Sequence, residues 1–366
     1  MIVKDEAPII EECLRHVCDK FNIKEWVICD TGSSDGTQDI IRNFFEAEGI
    51  QGELHEDEWK DFGHNRSLAI KRALGKQQYI LTWDADDRLV GDISLPTNLC
   101  VDAYKLKFGS SWGVSYDRPL LVNTHLDWTW VGVLHEFITR SKPGVHSDTL
   151  RVEGEYYVKC GHFGNRSKVN DKYAKDAEVF EKAIAALNNE GDPWNIRARY
   201  AFYCANSYKD AKNHERAAKW YKERIDLGGW REEITVSYYE LGHQLMQQGK
   251  EKEAIAAWLE GYSYDPTRAS CLFEVASYYF NKGDNVMAHM YARQASYIPY
   301  PANDGLFVNS SVYNYQIDYL LSVTTWWFCN KYKLPTPNMD AIFDNLMSCG
   351  AYEKEHIMKN KAFYNG

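Results

Sequence analysis

Two carboxylates separated by one residue, Asp84-Ala-Asp86, follow directly on the apolar run Tyr79-Ile-Leu-Thr-Trp83. If that run is a buried strand, both acids stand at its carboxyl end on one face, because side chains alternate along a strand. Paired hard oxygens suit a divalent cation bound together with a diphosphate. A second group, Gly32-Ser-Ser-Asp-Gly36, joins small residues, which let a ligand approach the backbone closely, to a helix start, whose open amides attract an anion. Ser33, Ser34 or Asp35 would also cap that helix. Two such strand ends side by side would serve one nucleotide.

The elements that must position these groups are legible as alternating patterns. Met1-Ile-Val-Lys4 reads as a strand. Ile10, Cys13, Leu14, Val17 and Phe21 then draw one helical stripe, with Asp5 as its cap and Pro8 tolerated in the first turn. Glu25-Trp-Val-Ile-Cys-Asp30 reads as a buried strand. Residues Asp35 to Glu48 follow as a helix ended by Gly49, with a third strand at Glu53-Leu-His55. A helix from Asp61 to Leu74 stopped by Gly75 then leads into the strand at Tyr79. Such alternation implies a Rossmann-like, mostly parallel sheet covered by helices. Ligands bind outside the carboxyl ends of the strands of such sheets, where both groups lie. Shorter β-like pieces follow (Ala103 to Phe108, Leu120 to Val122, Val131 to Thr139, Tyr156 to Lys159) and complete the same domain as the acceptor side of a cleft.

From about Asn170 the pattern is helical and repeats. The tetratricopeptide template falls on Tyr238, Leu241, Gly242, Leu245 and Ala254, with Pro266 closing the unit. Moving on by 34 residues lands on Leu272, Val275, Ala276, Tyr279 and Ala288, and moving back by 37 lands on Ala201, Cys204, Ala205, Tyr208 and Ala217. The three-residue excess falls in the Leu227-Gly-Gly-Trp230 loop. Three repeats over 198–302 are expected, preceded by a helix from Asp171 to Asn188 and followed by closing helices. The domains are then 1–168 and 169–366. The high aromatic content, 12 Trp, 25 Tyr and 15 Phe, fits thick helix packing.

Composition excludes several classes. With 45% hydrophobic residues and 10 Pro in 366 positions, the chain is globular rather than disordered or collagen-like. Lys and Arg number 42 against 52 Asp and Glu, a formal charge of −10, which disfavours duplex nucleic acid as a partner. Nine scattered cysteines without Cys-x-x-Cys spacing point to buried thiols in a reducing compartment. No basic leader is expected, and no apolar run nears the ~18 residues of a membrane span, so a soluble cytoplasmic protein is expected.

The segments Met1-Ile-Val-Lys-Asp-Glu6, Val27-Ile-Cys-Asp-Thr-Gly-Ser-Ser-Asp-Gly-Thr37, Phe62-Gly-His-Asn-Arg66 and Leu81-Thr-Trp-Asp-Ala-Asp-Asp87 resemble, in order and spacing, family 2 glycosyltransferases of the GT-A fold. The resemblance is strong over residues 1–90 and thinner to about 165. It is greatest to members joined to tetratricopeptide-like helices. It implies a metal-dependent, inverting transfer of a sugar from a nucleotide-sugar donor, a UDP-sugar such as UDP-glucose, to a hydroxyl of a glycan or protein acceptor. Lys4, Asp30, Thr31 and Asp35 would then lie on the nucleoside side and Arg66 on the diphosphate. Asp84, with Ala85, would face the ribose, and Asp86 would ligate Mn²⁺ or Mg²⁺. Two departures stand out: Thr31 replaces a second acid that often contacts the base, and Asp5 replaces a more usual Asn.

An inverting displacement needs a carboxylate to take the acceptor's proton. Glu136, in Trp130-Val-Gly-Val-Leu-His-Glu136, resembles that base, with Asp117 and Asp127 as reserves and an Arg140 ion pair as its purely structural alternative. His162, in Cys160-Gly-His-Phe-Gly164, resembles a late histidine that completes metal or phosphate binding, a role His135 could also fill. Trp128 and Trp130 are candidates for sugar stacking or for core. The rival readings are a helical-repeat adaptor carrying an inactive transferase-like domain, and a nucleotidyltransferase, against which stands the missing Gly-rich loop after the first strand. The repeats would recruit a protein partner, a second copy of the chain or the acceptor.

Overall fold

The computed structural model describes residues 1–109, 116–161 and 171–364. It divides into two compact units, Met1–Ser207 and Tyr208–Gly366.

The first unit opens with β1 (Ile2–Val3), α1 (Ile10–Lys20), β2 (Trp26–Asp30), α2 (Thr37–Glu48), β3 (Gly52–Glu56) and α3 (Phe62–Ala73). The three strands form a parallel sheet in the order β1-β2-β3, in register so that Val3, Asp30 and Glu56 lie level at its carboxyl edge. The helices form where their apolar periods predict. α1 buries Ile10, Cys13, Leu14 and Val17, and α2 ends at Gly49 with φ 67°. Asp61 caps α3 by accepting from the His64 N–H at 2.7 Å.

Asp5 does not cap α1. It adopts φ 53°, a left-handed conformation that Asn and Asp tolerate best among residues with a side chain. Its carboxylate accepts instead from the Ser34 N–H at 2.8 Å. The position therefore selects for Asx geometry, and Asp meets that demand as Asn would.

The strand at Tyr79 lies elsewhere than a single sheet would put it. β4 (Tyr79–Leu81) pairs antiparallel with β7 (Tyr116–Asn123) at the end of a second, mixed sheet. That sheet also holds β5 (Arg88–Ser94), β6 (Ala103–Phe108) and β11 (Glu153–Lys159), in the order β4-β7-β6-β11-β5, with β10 (Thr149–Arg151) beside β6. β1 offers only two pairing residues, whereas Leu120, Leu121 and Val122 of β7 supply a buried apolar partner. A cavity of about 580 Å³, lined among others by Val27 and Ile28 of β2 and Ile80 and Leu81 of β4, lies between the two sheets. The expected strand Val131–Thr139 is a hairpin, β8 (Trp128–Val131) and β9 (Phe137–Arg140). Gly132 at φ 120° and His135 at φ 49° break it.

Two helices, α4 (Lys172–Glu190) and α5 (Arg197–Asp210), follow. The residues before Tyr208, grouped with the repeats on sequence, pack with the first unit. The Tyr200 hydroxyl accepts from the Val133 N–H at 3.1 Å, and the His135 ring stacks on Tyr203 at 4.1 Å.

The second unit is helical: α6 (His214–Asp226), α7 (Arg231–Gln247), α8 (Glu251–Tyr264), α9 (Ser270–Asn281), α10 (Asn285–Ser296), a π-helical turn (Val312–Gln316), α11 (Ile317–Tyr332), α12 (Asp340–Cys349) and α13 (Lys354–Ala362). Each helix packs against the next from α6 to α13. The small residues of the repeat template sit where helices touch. A Cβ on Gly242 would come within 2.1 Å of Trp258 Nε1, and one on Gly261 within 2.7 Å of Tyr238 Cβ. Ala217, Ala254, Ala276 and Ala288 are fully buried. The Leu227–Trp230 loop carries the insertion on two left-handed glycines, Gly228 and Gly229. Beneath it Arg224 Nε pairs with Glu233 at 2.9 Å, both buried. Arg224 also donates to the Gly228 carbonyl at 2.7 Å and to that of Trp230 at 3.4 Å.

His289 packs on Phe328, centroids 4.4 Å apart. Burial, reinforced by Arg293, lowers its pKa from 6.5 to about 4. Between those values the unfolded chain binds a proton that the folded one refuses, so stability falls as pH drops below 6.5. At pH 5 the loss is about 2 kcal/mol (1.36 kcal/mol per pH unit). Calorimetry of the parent and His289→Gln at pH 7 and pH 5 checks this: the variant's second unit should lose less on acidification, and equal losses would remove His289 from the acid response.

Among the described residues the nine cysteines form no disulfide, and five of them are buried. Among the described residues no helix is long and apolar enough to cross a membrane.

Candidate active site

The site is assembled by a backbone contact between α3 and β8. Gly63 N–H donates to the Gly132 carbonyl at 3.1 Å, and a Cβ on Gly63 would stand 2.5 Å from that oxygen. One turn on, Ser67 Oγ accepts from the Trp130 N–H at 2.8 Å. These contacts hold Arg66 against the hairpin, its guanidinium 5.1 Å from the Trp130 ring centroid.

Arg66 is shared between two carboxylates. Nη2 lies 2.6 Å from Asp84 Oδ1, and Nε lies 2.7 Å from Glu136 Oε1. The three side chains are 11%, 23% and 9% exposed, in the order Arg66, Asp84, Glu136. Burial alone would lower the Arg66 pKa, but the charges of Asp84 and then Glu136 raise it further, so the cation is permanent. Burial would likewise raise Asp84, yet Arg66 and then Arg118 hold it below the ordinary carboxylate value.

Asp87 behaves in the opposite way. Burial first, then repulsion from Asp84 and Asp86 against the pull of Arg118, pushes it up to about 7. This strand end therefore concentrates acidic oxygens that a hard cation would relieve, and the donor chemistry fits Mn²⁺ or Mg²⁺. Asp86 is half-buried, and Gly161 lies against it so closely that a Cβ would come within 2.2 Å of its carbonyl oxygen. His162 lies outside the described residues. Among the described residues no three His, Cys, Asp or Glu side chains converge as a metal cluster.

At the end of β2, which belongs to the other sheet and is not the paired neighbour of β4 that the sequence suggests, Asp30 is fully buried. Its Oδ1 accepts from the Gly32 and Ser33 N–H groups, both at 2.8 Å. Its Oδ2 is buried with no hydrogen-bond partner among the described residues. The orphaned oxygen is a ready acceptor for a ligand donor. Thr31 is committed to structure, its hydroxyl donating to the Val3 carbonyl at 3.0 Å. Asp35 is exposed and ties the turn together: Oδ1 accepts from the Thr37 hydroxyl at 2.6 Å and Oδ2 from the Ala7 N–H at 3.0 Å. Burial pulls its pKa up, but the hydrogen bonds from Thr37 and Ala7 together outweigh that pull and lower it. Lys4 is exposed and Ala85 buried beside Val3.

Other candidates go elsewhere. Asp127 pairs with Arg140 at 2.7 Å, so Arg140 is not the partner of Glu136. Asp117 pairs with Arg151 at 2.5 Å. His135 is exposed and stacked on Tyr203. Trp128 and Trp130 are 2% and 6% exposed and are core. Among the described site residues, Arg66 and the Trp130 it packs against line the cavity between the sheets. Arg118 escaped the sequence reading although its field reaches Asp84 and Asp87. The available signal was a cation next to an acid in β7, since adjacent strand residues face opposite sides.

Residues 1–95 match glycosyl transferase family 2. This segment is a family 2 glycosyltransferase domain, and tetratricopeptide-like helices follow it. A TPR repeat-containing protein of Synechococcus elongatus is 39% identical over 90 residues, which are 25% of this chain and 20% of that protein. The chain thus matches only about a fifth of that relative's length. Among solved structures, the C-terminal part of a TPR repeat-containing protein from Cytophaga hutchinsonii is 18% identical, covering 50% of this chain and 61% of that one, with a TM-score of 0.33. A kinesin light chain protein with TPR-like repeats from Podospora anserina is 14% identical, covering 49% and 87%, with a TM-score of 0.33.

Proposed function

We propose that the chain is a metal-dependent inverting glycosyltransferase that moves a sugar from a UDP-sugar to a hydroxyl of a glycan or protein. One observation carries this reading: Arg66 is buried between Asp84, at a strand's carboxyl end, and Glu136, on the hairpin. A permanent cation there suits a diphosphate, and a carboxylate beside it suits an incoming hydroxyl.

In this mechanism Asp30 and the Lys4 segment receive the nucleoside. Arg66 turns its charge to the diphosphate and stabilises the negative charge that develops on the departing nucleotide. Glu136 takes the acceptor hydroxyl's proton as that oxygen bonds to the anomeric carbon and the bond to the diphosphate breaks. The site aligns the two partners, and no covalent intermediate with the chain is required. Asp86, with His162, would hold Mn²⁺ or Mg²⁺, which when bound supplies further charge neutralisation at the diphosphate.

A thermal-shift screen against UDP, GDP, CMP and dTDP and their sugar conjugates, with and without Mn²⁺, tests the reading. Ligand at a hundred times its Kd adds about 2.7 kcal/mol, roughly 5 to 10 °C for a domain of this size. A Mn²⁺-dependent shift with a uridine nucleotide, absent in Asp86→Ala, is expected, with the variant keeping the parent's melting temperature in buffer to within about 2 °C. No shift with any nucleotide would favour a peptide-binding repeat protein with an inactive transferase-like domain.

A further inference from the structure

The segment that presents Glu136 is conformationally costly. His135 sits at φ 49° and Gly132 at φ 120°, three residues apart in the hairpin's turn. A left-handed residue other than Gly persists where its surroundings over-determine it. The surroundings here come from α5. Arg199 Nε and Nη2 both donate to the His135 carbonyl, at 3.0 and 2.9 Å. The same guanidinium lies between two rings, 5.3 Å from the Phe137 centroid and 4.9 Å from that of Tyr203. Tyr203 stacks on the His135 ring with planes 7° apart, and the Tyr200 hydroxyl accepts from the Val133 N–H. One helix face thus grips residues 133, 135 and 137, on both sides of the carboxylate.

We propose that Arg199, supported by Tyr200 and Tyr203, is a positioning residue for Glu136. It fixes the peptide that carries the base, and it touches neither donor nor acceptor. The assignment deepens the transferase reading and rests on it for its catalytic consequence. The clamp itself is a property of the backbone and can be measured without turnover.

The test uses the full chain with Arg199→Ala, Arg199→Lys and Tyr203→Ala beside the parent and Glu136→Gln. Hydrogen exchange is read at amides 133–137, and UDP release from UDP-glucose with Mn²⁺ gives kcat and KM. Arg199→Ala should exchange those amides at least ~10-fold faster with α3 and β4 unchanged, as local rather than global opening requires. It should lose about 10- to 100-fold in kcat, the scale of a misplaced catalytic group, at nearly unchanged KM. Arg199→Lys, which keeps a donor to the carbonyl, should recover most of both. Unaltered exchange at 133–137 in Arg199→Ala overturns the inference whatever the donor proves to be. So does a kcat loss matched by an equal rise in KM, or parent-like kcat alongside a dead Glu136→Gln. A parent that releases no UDP, with accelerated exchange in Arg199→Ala, leaves the clamp standing and sinks the transferase reading instead.

Discussion

Glu136→Gln should bind UDP with Mn²⁺ as tightly as the parent and lose about 10²- to 10⁴-fold in UDP release from UDP-glucose, the usual contribution of a general base. Glutamine preserves the volume of the side chain, but its amide cannot accept a proton from an attacking hydroxyl. Arg66 retains Asp84 as a charged partner at 2.6 Å, so the diphosphate side of the site keeps its cation in place. The split between binding and turnover is therefore the signature. Isothermal titration with UDP and a coupled UDP-release assay at saturating donor measure the two halves. A fully active variant refutes the base assignment, and a parallel loss of UDP affinity would move Glu136 to the donor side.

The largest stability effect belongs to the second unit. Glu233→Ala leaves Arg224 buried without its carboxylate, and removing one member of a buried pair costs about 3 to 5 kcal/mol. At roughly 2 to 4 °C per kcal/mol, the second unit's transition should fall by on the order of 10 °C. The double variant Arg224→Met with Glu233→Leu should recover only part of this. Arg224 also satisfies the Gly228 and Trp230 carbonyls, which Met leaves unbonded. Calorimetry resolves the second unit, and a shift below about 2 °C for Glu233→Ala would show that the cation finds water instead.

Much of this architecture is legible because its signals are local. The stripe of α1, the helix start at Asp61 and the small residues Gly242 and Ala254 all follow from spacing within one helix or one repeat. What eluded sequence reasoning depends on distant partners. Asp5 looks like a cap by position, and only the turn at Ser34 reveals its other use. β4 reads as a neighbour of β2 in one parallel sheet, but pairing is settled by the apolar run of β7, some 40 residues later. Asp84 stands out by type and spacing, and Arg66 and Glu136 through the family resemblance. Their sharing of one charge, and the approach of Arg118 from β7, arise only when three elements meet. The packing of Tyr200 and Tyr203 on the hairpin has no periodic signature, since an aromatic inside a helix reads the same whichever surface it covers.

The contact of Gly63 on Gly132 bears on attempts to graft a new acceptor pocket onto this scaffold. Arg66 rides three residues after one glycine and Glu136 four after the other, and no side chain separates the two backbones. Transplanting a foreign hairpin in place of residues 128–140 would carry its own depth and tilt, and the recipient helix has nothing to trim in compensation. Residues 62–67, the hairpin and the Arg199–Tyr203 face of α5 are therefore the smallest exchangeable cassette, and a chimera that moves the hairpin alone should fold yet leave its arginine and glutamate out of step.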